Sequence, residues 1–129
     1  MSKVERFEDL KIWQTARELC QMIHKLTLKD PFLKDFKLVG QIKGSTGSVM
    51  DNIAEGFERD GNKEFIQFLS ISKGSCGETR SQLYRALDNQ YISQDEFDAA
   101  YKTTLEEGRM LKSFIQYLKD SDMKGNKFK

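Results

Sequence analysis

The sequence predicts an all-α fold, an antiparallel up-and-down four-helix bundle, and three observations carry that prediction. Apolar residues recur at alternating steps of three and four through four long stretches, the period of helices that bury one stripe. One proline in 129 residues is too few turn formers for a sandwich or barrel of many short strands. No strand signal competes with the helical one. The length suits one domain able to bury a core, so residues 1–129 are expected to form a single bundle domain.

The first helix is expected over residues 8–28. Ile12, Ala16, Leu19, Ile23 and Leu26 form its seam, widened by Leu10, Trp13 and Cys20. Asp30-Pro31 then breaks it, because proline disfavours helical geometry in the residue before it. The second helix is expected over 35–57, with Leu38, Ile42, Ser45, Val49, Ile53 and Phe57 inward. Its middle carries Gly40, Gly44, Gly47 and Ser48, and each glycine costs about 1 kcal/mol relative to alanine in a helix. Close approach of another backbone would offset that cost. The third helix also thins to small residues, Gly74-Ser75-Cys76-Gly77, so the two are expected to cross there and Gly44→Leu to destabilise strongly.

Gly56 and the run Arg59-Asp60-Gly61-Asn62 close the second helix. Asn62 is expected to N-cap the third, over 63–88, with Phe65, Leu69, Ser72, Cys76, Thr79, Leu83 and Leu87 as its seam. Ser93 and Glu96 form a capping box ahead of the fourth helix, expected over 94–119. Phe97, Tyr101, Thr104, Leu111, Ile115 and Leu118 point inward there. Residues 120–129 are expected to fray as a mildly basic tail.

Residues 48–59, SVMDNIAEGFER, join the apolar row of the second helix to the polar groups of Asn52, Glu55 and Arg59. This stretch, with FEDLKIWQTARELC, Gln41-Ile42-Lys43, EFIQFLSISKGSCGE, Tyr91-Ile92-Ser93 and EEGRMLKSFIQYLK, resembles the four-helix-bundle family named for the 23S rRNA intervening sequence, also labelled S23. The pieces stand in the family's order and cover nearly the whole chain. The resemblance implies a small bundle that assembles with itself into a homopentameric ring and has no established molecular role. A related group of basic bundle proteins binds reverse transcriptase and nucleic acid. After Gln41 the family pattern carries two basic residues; here the run is Lys43, Gly44, Ser45, so one positive charge is missing.

Candidate chemistry follows from the polar positions. Asn52, Glu55, Gly56 and Arg59, with Gly74, Ser75 and Glu78 on the third helix, form the family-motif cluster. It could face a partner subunit or ligand, or it could be a hydrogen-bond network that fixes helix ends and register. Asp51, Glu55 and Glu58 make a short acidic stripe, but bundle di-iron sites use Glu-x-x-His pairs. The sole histidine, His24, has Gln21 three residues earlier, so no metal or cofactor is expected. Gly74-Ser75-Cys76-Gly77 is not a nucleophile elbow. In GQIKGS the lysine precedes the second glycine, so it is not a phosphate loop either. Enzyme activity is not expected.

Twenty-one basic and twenty acidic residues leave a formal charge of +1, with neither half strongly charged. RNA or DNA contacts, if present, would use Lys37 and Lys43 with Lys73, Arg80 and Tyr84 on one face of the third helix. The terminal Lys124, Lys127 and Lys129 would add to them. Two isolated cysteines, the charged N-terminus and the lack of a long apolar run predict a cytoplasmic protein with no membrane segment. The function expected is that of a non-enzymatic oligomeric scaffold, with Trp13 and Phe68 as subunit contacts. A weak nucleic-acid-binding accessory protein is the alternative.

Overall fold

The computed structural model describes residues 4–123, for Met123 the backbone alone. Four helices run through it: α1 (Lys11–Thr27), α2 (Phe36–Phe57), α3 (Asn62–Asp88) and α4 (Gln94–Met123). Short 3-10 turns at Phe7–Asp9 and Phe32–Lys34 precede α1 and α2. Among the described residues there is no strand. Each helix is antiparallel to the next, and α2 against α3 and α3 against α4 make the largest contacts. The ring closes through α1, which packs on both α2 and α4.

The helix ends correct the expected boundaries where local chemistry intervenes. α1 starts at Lys11 rather than at residue 8, because Leu10 is extended and buried, and Phe7 folds edge-on to Trp13 with ring centroids 5.2 Å apart. α2 starts where Asp35 accepts a hydrogen bond from the Leu38 amide at 3.0 Å. Gly61, not Asn62, caps α3: its φ of 89° suits glycine, and Asn62 is already helical and buried. Ser93 and Glu96 form the expected reciprocal box, Ser93 Oγ 3.1 Å from the Glu96 amide and Glu96 Oε1 2.9 Å from the Ser93 amide. α4 continues to Met123 rather than stopping at residue 119, since no glycine or proline interrupts that turn and Gln116 bonds Asp120 at 3.0 Å. The remaining tail, with Lys124, Lys127 and Lys129, lies outside the described residues.

The interior is two apolar clusters. One gathers Leu19, Ile23, Phe32, Leu38, Ile42, Leu83, Ala86 and Phe97. The other gathers Ile12, Ala16, Val49, Ile53, Phe65, Leu69, Leu111 and Leu118. Between them every helix buries polar side chains: Thr15 from α1, Ser45 and Thr46 from α2, Thr79 and Gln82 from α3, and Thr103, Thr104 and Glu107 from α4. The bundle thus has a polar waist.

The waist replaces the glycine crossing expected from sequence. A Cβ added at Gly40, Gly44, Gly47 or Gly74 would meet nothing within 4 Å. The α2–α3 seam is lined by hydroxyls instead. Ser72 donates to the Val49 carbonyl at 2.7 Å, and Ser45 and Thr79 lie 2.8 Å apart. Gly56 is the exception, its missing Cβ lying 2.7 Å from the Phe68 Cβ.

Candidate functional site: the polar waist and the groove beside it

Buried hydroxyls must find partners, and at the waist they find one another. Ser45 Oγ lies 2.6 Å from Gln82 Oε1, and Thr79 donates to the Ser75 carbonyl at 3.0 Å. Gln82 also reaches Glu78 at 3.4 Å. One turn along, Ser48 and Ser75 share a hydrogen bond at 2.7 Å, and Asn52 donates to Ser48 Oγ at 2.9 Å and to its carbonyl at 2.8 Å. This network pins the register of α2 against α3.

The family-motif positions are therefore not gathered in one place. Asn52 and Ser75 belong to the inter-helix network. Glu55 and Arg59 form an ion pair at 2.8 Å on the surface, with the Arg59 guanidinium 5.0 Å above the Phe68 ring. Gly56 sits against Phe65 and Phe68, Gly74 is exposed, and Glu78 is exposed but tied to Gln82. Trp13 and Phe68 are each half-buried beneath an arginine, with Arg17 5.9 Å above Trp13.

Glu107 stands apart from this satisfied network. It is 0 % exposed, and neither carboxyl oxygen has a hydrogen-bond partner. Burial pushes its pKa up to about 8, against which Lys11 pulls from α1, so the group keeps its proton at neutral pH. The nearby hydroxyls are already engaged: Thr104 donates to the Tyr101 carbonyl at 2.6 Å, and Thr103 reaches the Ala99 carbonyl at 3.2 Å and the Met22 Sδ of α1 at 3.5 Å. Across the waist the Cys76 thiol donates to the Thr104 carbonyl at 3.2 Å. Burial, and then the Glu107 carboxyl, raise that thiol to about 11, so Cys76 is an inert core group.

On the outside of the same layer, α3 and α4 frame a groove of about 230 Å³ lined by Lys73, Arg80, Leu105, Gly108, Arg109 and Lys112. The Arg80 guanidinium lies across it, one terminal nitrogen 3.6 Å from where a Gly77 Cβ would stand and the other 3.7 Å from a Gly108 Cβ. Lys37 and Lys43 are exposed on α2. Among the described residues, no three His, Cys, Asp or Glu side chains gather to hold a metal ion.

The model of the 23S rRNA-intervening sequence protein family matches residues 8–113. This chain belongs to that family. A crystal structure of a protein of unknown function from the S23 ribosomal protein family of Bacteroides thetaiotaomicron has the same fold, with a TM-score of 0.75 and 22% identity. The match covers 81% of this chain and 95% of that one. Among curated proteins, none matches. Neither name carries an enzymatic activity, and among the described residues no helix of this intervening-sequence protein is long and apolar enough to cross a membrane.

Sequence reasoning missed three features. The inward row of α4 jumps from Thr104 to Leu111, and that seven-residue gap signals that Glu107 or Gly108 must face the core. Arg109 and Lys112 complete the face opposite Lys73 and Arg80, which becomes visible only once α3 and α4 are set antiparallel. Phe36, 80 % exposed, stands two residues before Leu38 and so off the inward row, which was the signal that could have found it.

Proposed function

We propose that this 23S rRNA-intervening sequence protein is a non-enzymatic scaffold that works by associating with copies of itself. The observation that carries the proposal is an apolar surface in the link between α1 and α2. Leu28, Leu33 and Phe36 are 55 %, 42 % and 80 % exposed, and all three fall within nine residues of chain. Three large exposed apolar side chains in one short stretch of chain fit an interaction surface better than singly scattered surface residues do. Trp13 and Phe68 remain secondary contacts, since each already has an arginine over its ring.

The ring of five follows the family resemblance, and the chain presents this link once per subunit. Cys20 and Cys76 are unpaired thiols, which fits a protein working in the reducing cytoplasm. Light scattering of the purified protein at micromolar concentration should give a mass several times 15.0 kDa, and Phe36→Ser should shift it toward the monomer. A monomer in the unsubstituted protein would reject the scaffold.

A further inference from the structure

We infer that the α3–α4 groove is a binding site for the phosphate backbone of single-stranded nucleic acid. Lys73 and Arg80 from α3 and Arg109 and Lys112 from α4 face one groove in a protein whose formal charge is only +1. Like charges drawn together this closely repel one another, and an anion lying between them removes that cost. Among the described residues none of the four is held in an ion pair. The nearest acid along α3, Glu78, is engaged by Gln82.

The groove is also built for access. Gly77 and Gly108 leave the space that the Arg80 guanidinium occupies, with its two terminal nitrogens 3.6 and 3.7 Å from where their Cβ atoms would stand. Lys73 and Arg80 are seven residues apart, about 10 Å along the helix, which is longer than one phosphate group and suits a run of them. Tyr84 extends the same face one turn further, 48 % exposed, with Phe97 packed 4.9 Å from its ring on one side. Tyr101 packs edge-on at 5.8 Å as well, so about half of the ring is left for a base, and a cationic track that ends on a partly exposed aromatic ring is the pairing that holds unpaired bases and their backbone.

The test is fluorescence anisotropy with a labelled uridine homopolymer RNA of about a dozen nucleotides, at about 50 and 150 mM salt. A duplex of equal length and inorganic phosphate serve as competitors. The full-length protein should bind the strand, and Arg80→Gln/Arg109→Gln/Lys112→Gln should weaken binding on the order of tenfold and flatten its salt dependence by about one contact per charge removed. Lys37→Gln/Lys43→Gln, which removes charge from α2, should change affinity by less than about twofold. Tyr84→Leu should weaken binding with the salt dependence unchanged. Circular dichroism checks each fold, and exposed Lys112→Gln alone supplies the comparison if the triple variant misfolds. Absence of binding at low salt, or equal losses in the groove and α2 variants, would overturn the site. Preference for the duplex, or displacement by millimolar phosphate, would overturn its assignment to a strand.

Discussion

Glu107 shows what one buried residue does to the pH response of a whole domain. Its carboxyl has an ordinary value of 4.5 and is raised to about 8 in the folded protein. The unfolded chain ionises it freely, whereas the folded chain holds the proton up to that higher value. The stability this site contributes is therefore full below pH 4.5, erodes as the pH rises, and is gone above about 8. Within that window the loss approaches about 1.4 kcal/mol per pH unit. Thermal melts from pH 5 to pH 9 should show the unsubstituted protein falling relative to Glu107→Gln, which keeps the shape without the titration. Parallel melting curves for the two would remove Glu107 as the cause. Asp35 pulls the other way: the Leu38 amide and then the Tyr91 hydroxyl, 2.8 Å away, hold its carboxyl below the usual range.

At the scale of the helices, glycine has two opposite meanings in one chain. α2 packs so tightly on α3 at Gly56 that a methyl group there would drive into the Phe68 Cβ, an atom that cannot swing aside. Gly56→Ala is expected to destabilise by about 1–2 kcal/mol, overpacking outweighing the gain in helix propensity. Gly44 lies on the same helix facing open space, and Gly44→Ala is expected to stabilise by up to about 1 kcal/mol. Chemical denaturation of the two variants decides the matter, and equal signs would refute the packing. The register between α2 and α3 is set elsewhere, by the Ser45, Ser48, Ser72, Ser75 and Thr79 hydroxyls and by Asn52. A hydroxyl is small enough to let two backbones approach and polar enough to demand one particular partner.

For the molecule as a whole, the apolar link and the cationic groove answer differently to salt. Assembly through Leu28, Leu33 and Phe36 buries apolar surface and should persist or strengthen as salt rises, whereas strand binding at Lys73, Arg80, Arg109 and Lys112 should fade. Light scattering and anisotropy on one salt series will separate them. Assembly that dissolves in step with strand release would mean that charge holds the subunits together, and would count against the apolar link. Among the described residues one ion pair joins separate elements, Lys29 of the α1–α2 link with Glu96 of α4, so the single bundle owes its cohesion to packing rather than to charge.

The four helices, the break at Asp30-Pro31, the capping box at Ser93 and most of the inward rows were determined by sequence alone, because period, caps and breakers are local properties of the chain. The family was legible there too, in the stretch from Ser48 to Arg59. Tertiary structure alone decided which small residues touch. Spacing placed Gly44 and Gly56 alike on α2, and only the position of α3 makes one open and the other closed. It also decided that Asn52 and Arg59, both polar, part company: Asn52 bonds Ser48, which reaches Ser75 of α3, whereas Arg59 pairs with Glu55 at the surface above the Phe68 ring. Glu107 and the groove belong to the same class, since burial and convergence are properties of neighbours that lie far away along the chain.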